Sequence, residues 1–164
     1  MISIDEFDHQ CQSVLLPLLS QWSLCEHFHW NDTLHYIELI AKRGDRIPST
    51  KLTIRITYNR IYKEPQFQFQ CWELDVSTTD VEYWHVTYPS LSSLPINNDN
   101  NQFSITLESI SEHETWYSVN VCDTEANIGS YNANYLSRWF SYYGTLFDDQ
   151  IGCVFTNNSN FSSP

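Results

Sequence analysis

The sequence predicts an α+β domain, an antiparallel β-meander with helices packed on one face. Three observations carry that prediction. Apolar residues recur at helical spacing near each end of the 164-residue chain, and apolar and polar residues alternate at strand spacing between them. Six Trp, ten Tyr and nine Phe supply the bulk of one core. A single domain over residues 1–155 follows, with the polar stretch 156–164 expected to be a disordered tail.

The elements follow in chain order. Ile4, Phe7, Cys11, Val14, Leu15, Leu18 and Trp22 recur every three or four residues, which puts them on one face of a helix over about residues 3 to 22. Pro17 lacks an N–H and should kink that helix or end its regular part early. A strand is expected from Leu34 to Lys42, followed by a turn in RGDRIPS. The stretch KLTIRITYNRIYKEPQFQFQCWEL alternates through Leu52, Ile54 and Ile56, turns near Lys63-Glu64-Pro65, and alternates again through Phe67, Phe69 and Cys71, the pattern of a hairpin. Ile61 breaks the parity set by Ile54 and Ile56, so a bulge is expected near Asn59.

Residues 76 to 102 read as an irregular excursion ending in an asparagine-rich exposed loop. QFSITLESI and ETWYSVNV supply further strands, for four or five in all. Asn132 is placed to cap a helix from Ala133 to Tyr143, with Gly144 to end it. Tyr135, Leu136, Trp139, Phe140 and Tyr143 form that helix's apolar stripe, which is read as core.

Composition narrows the function. Twenty acidic residues against eight basic ones give a net charge of -12, a field that repels phosphate backbones and anionic lipid. Nucleic acid is not expected as a partner, nor is stable membrane insertion, since no apolar run reaches the length of a span. The first residues are acidic where a secretion signal would be basic, so a cytoplasmic protein is expected. Five cysteines at 11, 25, 71, 122 and 153 contain no C-x-x-C pair and read as free thiols, with Cys11 and Cys71 in the core. His27, His29 and His35 with Glu26 lack further ligands at a recognisable spacing, so no metal is expected; no glycine loop cradles a phosphate, so no nucleotide cofactor is.

Cys122 is the unusual thiol. In TWYSVNVCDTEANIGS, alternation turns Tyr117, Val119 and Val121 toward the core and Trp116, Ser118, Asn120 and Cys122 the other way. A thiol sharing a side with a carboxamide, at the mouth of a strand, suits covalent catalysis in which the amide donates to an oxyanion on a thioester carbon. A half-buried strand end explains the same pattern without chemistry. Asp123 and Glu125 would raise rather than lower the thiol pKa, which disfavours a protease-type cysteine and fits acyl transfer to an amine.

YSVNVCDTEA, followed about a dozen residues later by NYLSRWFSYYG, resembles the active-site cysteine region and following helix of the autophagy conjugating enzymes, a divergent ubiquitin-conjugating fold. ITYNRIYKEPQFQFQCWE is similar to that family's paired central strands with their Tyr-x-x-Pro turn, and the opening helix leading into CEHFHW fits as well. The short length and compact middle resemble the autophagy-related protein 10 family more than the lipid-conjugating autophagy-related protein 3, which carries long insertions.

The resemblance implies that Cys122 forms a thioester with the ubiquitin-like modifier autophagy-related protein 12, received from the activating enzyme autophagy-related protein 7. It implies transfer to a lysine of the acceptor, autophagy-related protein 5. Where the family often carries His-Pro before the cysteine, this chain has Asn120-Val121. Asn120 is the candidate oxyanion donor, and Tyr62 of the Tyr-x-x-Pro turn the candidate for orienting the lysine. A non-catalytic interaction module of the same fold is the alternative, with a cysteine hydrolase behind it.

Overall fold

A computed structural model describes residues 1–42, 50–76, 81–94, 96, 102–121, 124–129 and 133–152. The expected turn in RGDRIPS, most of the asparagine-rich loop, Asn132, the tail 156–164 and Cys122 itself lie outside the described residues.

The first helical segment runs as α1 (Ile4–Gln10), a π turn (Cys11–Leu15) and α2 (Leu16–Leu19), close to the span expected. Ser3 caps it, its Oγ accepting from Glu6 N–H at 3.2 Å. The regular part of the helix ends early, at Gln10, ahead of Pro17. The turn before the proline widens, and Leu16 N–H bonds back to the Cys11 carbonyl five residues earlier.

The strands are β1 (Cys25–Asn31), β2 (Tyr36–Lys42), β3 (Thr50–Asn59), β4 (Glu64–Val76), β5 (Glu82–Thr87), β6 (Ser104–Ser111) and β7 (Glu114–Asn120). They form one antiparallel sheet in the order β1-β2-β3-β4-β7-β6, with β5 paired to the later half of β4. Beyond them lie α3 (Thr124–Ile128) and α4 (Tyr135–Gly144). The architecture is the α+β meander expected, with more strands than the alternation disclosed.

Two rungs cross the sheet and face the helices: Ile37, Ile56, Phe67 and Val119, then Leu39, Ile54, Phe69 and Tyr117. They are buried against Phe7, Cys11, Leu15 and Leu19 from the first helical segment and Leu136, Trp139, Phe140 and Tyr143 from α4. Phe67 stacks on Tyr143 at 5.6 Å, so the central strand and α4 share an aromatic cluster. The stripe of α4 is core, as expected.

Several expectations are corrected. The β1–β2 and β3–β4 connections are the same device. Asn31 and Asn59 each use Oδ1 to accept from the N–H groups two and three residues on, and each turn ends in a residue with positive φ, His35 at 53° and Lys63 at 54°. The β3–β4 register runs unbroken from Thr50↔Glu73 to Asn59↔Glu64, so there is no bulge near Asn59, and the turn is Arg60–Lys63 with Glu64 already in β4. Ile61 breaks parity because it stands in the turn, 85% exposed. The first of these turns also moves the start of β2 from Leu34 to Tyr36.

The expected irregular excursion contains β5, an edge strand. α4 begins at Tyr135 rather than Ala133, after Asn134 at φ 54°, which makes no side-chain cap. Gly144 is the last helical residue rather than a left-handed stop. A Cβ there would meet Ile151 Cδ1 at 2.5 Å, so the glycine is there for close approach.

Trp116 and Ser118 do face away from the helices, yet both are buried, Trp116 to 1% exposure. Their cover is side chain from the sheet itself. Arg55 Cζ lies 4.1 Å from the Trp116 ring centroid and its guanidinium pairs with Glu38 and Glu114, each at 2.9 Å. Gln68 Nε2 donates to Ser118 Oγ at 3.4 Å, and Gln70 Nε2 to the Thr115 carbonyl at 3.0 Å.

Candidate active site

At the end of the sheet where β3 turns into β4 and β7 stops, a groove of about 510 Å³ opens. Its walls come from distant parts of the chain: Tyr62 from the turn, Glu64, Pro65 and Gln66 from β4, Asn120 and Val121 from the end of β7, and Thr124 from α3. The floor is Tyr143, buried in the α4 aromatic cluster. Its hydroxyl is hydrogen-bonded with the Thr124 side chain, and burial pushes its pKa up to about 12.

The chain reaches this arrangement for local reasons. Tyr62 projects, 65% exposed, because the Asn59 side chain ties down the turn that carries it. Pro65 is tolerated in β4 because β7 pairs only with Phe67–Phe69, leaving β4 a single neighbour at that point. Asn120 is the last residue of β7, paired with Ser104.

Two of the three residues singled out by sequence, Tyr62 and Asn120, therefore line one groove although 58 positions separate their numbers (120 less 62). Cys122 lies outside the described residues, but its neighbours in sequence, Val121 and Thr124, both line the groove. The strand alternation expected to carry from Asn120 to Cys122 stops at Asn120, where β7 ends. Asp123 and the Glu125 side chain are likewise outside the described residues.

Sequence reasoning missed Glu64, Glu108, Thr124 and Tyr143 as groove residues. Tyr143 was visible only as part of an apolar stripe, and Glu64 only as a turn residue.

The other cysteines are of a different kind. Cys11 and Cys71 are buried as expected, and burial raises the Cys11 thiol pKa. Cys25 is half-buried, its pKa pushed up to about 11 by desolvation. Of the histidines once grouped with Glu26, His35 Nδ1 lies 2.7 Å from Asp8 Oδ2, and Glu26 pairs with Lys42. No helix among the described residues is long and apolar enough to cross a membrane.

The family model described as "autophagocytosis associated protein, active-site domain" matches residues 31–152, an interval that contains Tyr62, Asn120 and Cys122. Among curated proteins, the ubiquitin-like-conjugating enzyme ATG10 of Eremothecium gossypii is 35% identical over 157 residues, 93% of this chain and 90% of that protein. The chain belongs to the ATG10 family. A second ATG10 relative, from Kluyveromyces marxianus, is 31% identical over 90% of this chain and 97% of its own length.

The solved structures agree. Solution structures of KmAtg10 superpose with a TM-score of 0.77 at 29% identity, covering 92% of this chain and 98% of that one. A crystal structure of the autophagic E2 Atg10 gives 0.69 at 23% identity over 87% and 94%, a likeness of fold. As an ATG10-family member the chain is a conjugating transferase of the ubiquitin-like class with an autophagy E2-like role, and the interaction-module alternative falls away.

Proposed function

We propose that Cys122 is the thioester-forming nucleophile, that it receives the C-terminal glycine of ATG12 from the activating enzyme ATG7, and that it passes this glycine to a lysine of ATG5 in the cytoplasm. The observation that carries the reading is the groove. It gathers Tyr62 and Asn120, and the residues before and after the Cys122-Asp123 pair line it.

In the first step the Cys122 sulfur attacks the activated thioester carbonyl; a new C–S bond forms, and the old one breaks as the activating enzyme's thiol leaves. In the second the acceptor amine attacks the same carbon, and the Cys122 thiolate departs. Both pass through an oxyanion. Asn120, at the open end of β7, is the donor available to it, and the Tyr62 hydroxyl is available to the amine.

Incubation with activating enzyme, modifier and ATP should give a band that reducing agent removes, and a Cys122→Ser protein should give one that resists it. A reducible band that persists in Cys122→Ser would transfer the role to another thiol and defeat the reading.

A further inference from the structure

The groove carries two carboxylates among its described residues, Glu64 and Glu108, and no lysine or arginine. They are not equivalent. Glu108 is exposed and already engaged, its oxygens accepting from Ser118 Oγ at 2.7 Å and Thr106 Oγ1 at 3.2 Å. Glu64 is half-buried at the first position of β4, two residues after Tyr62, and its carboxylate makes no hydrogen bond or ion pair with a described residue.

We propose that the Glu64 carboxylate is the docking point for the ammonium of the acceptor lysine. The proposal rests on the reading of Cys122 as the thioester residue. The groove suits a lysine at both ends of its side chain: Pro65, Val119 and the Tyr143 ring can take the methylene stem, while Glu64 and the Tyr62 hydroxyl take the head.

Burial raises the Glu64 pKa, a shift opposed by the N-terminal ammonium, so the carboxylate is a better proton acceptor than one on the open surface. Among the described residues, three other titratable groups line this groove: Tyr62 in the turn, Glu108 on β6 and Tyr143 on α4.

The docked ammonium gives one proton to Glu64, which releases it to water. The freed amine attacks the thioester carbon, a C–N bond forms, the C–S bond breaks, and the amine's second proton neutralises the departing Cys122 thiolate. The products are an amide, the free thiol and one proton in solution.

The test is single-turnover discharge of the preformed thioester on the full chain to two small nucleophiles, free lysine, which arrives charged, and hydroxylamine, which arrives neutral and needs no docking carboxylate. Glu64→Gln should load normally and lose roughly 10- to 100-fold in discharge to lysine, with discharge to hydroxylamine unchanged. Glu64→Asp should recover part of the lysine rate, and Glu82→Gln, at an exposed carboxylate of β5 outside the groove, should stay near wild type. Equal losses toward both nucleophiles, undiminished discharge to lysine, or a Glu64→Gln protein that fails to load would each overturn the proposal and leave Glu64 a structural residue. Failure of the wild-type chain to load would overturn the Cys122 reading instead.

Discussion

The side-chain oxygen of Gln10 accepts the Leu136 N–H at 2.9 Å, joining α1 to the start of α4 across 126 positions of chain. The same amide donates to Glu6 Oε1 at 2.6 Å. Since Asn134 provides no side-chain cap, Gln10 serves α4 as a cap supplied from another element.

Gln10→Leu keeps the bulk and removes the acceptor, leaving a buried N–H unpaired. The expected cost is about 1–3 kcal/mol. It should appear as a lower urea midpoint with an unchanged slope, because the surface exposed on unfolding is the same.

Gly144→Ala should destabilise by about 1–3 kcal/mol through overpacking against Ile151. The Ile151→Val change removes the Cδ1 atom in the way, so the double variant should recover much of the loss. A thermal-melt cycle in which the two changes simply add would show that the contact is not the cause.

Asn120→Ala should slow thioester chemistry on the order of 100-fold if its amide serves the oxyanion. Tyr62→Phe should spare loading and slow transfer. Pre-loaded protein followed over time in single-turnover gels separates the steps, and an Asn120→Ala protein discharging at the normal rate would remove that residue from the mechanism.

Alkaline pH should unfold the protein earlier than composition alone suggests. Burial raises the pKa of Cys11, of Cys25 to about 11 and of Tyr143 to about 12, from ordinary values of 9.0 and 10.0. The fold thus holds protons that the unfolded chain gives up first. This contribution is complete below about pH 9 and is lost as pH rises through the folded values. Melting temperature should be level from pH 7 to about 8.5 and fall from about pH 9 upward; a flat profile to pH 10.5 would contradict the burial of these groups.

How much the sequence disclosed depended on whether burial was one-sided. β2, β3 and β4 alternate cleanly because one face meets the helices, and the β3–β4 hairpin was legible. β1 and β5 were not, since most of their residues are exposed or half-buried at sheet edges and Tyr83 and Trp84 stand adjacent, which breaks any period of two. Trp116 shows the converse, its direction readable from parity but its burial dependent on Arg55, a residue 61 positions away (116 less 55). The candidate groove was half legible. Asn120 and Tyr62 stood out by type and motif, whereas Glu64 becomes meaningful only when folding sets it beside a strand end from the other half of the chain.

The π turn ahead of Pro17 solves a problem of phase. Phe7, Cys11, Leu15 and Leu19 are all fully buried and lie four residues apart. In an unbroken α-helix each step of four overshoots a full turn by about 40°, so three steps would carry the stripe about 120° off the core. One wider turn takes up much of that drift. The helix in effect carries a spare residue, so its sequence can keep a strict spacing of four that a regular helix of this length would have to abandon.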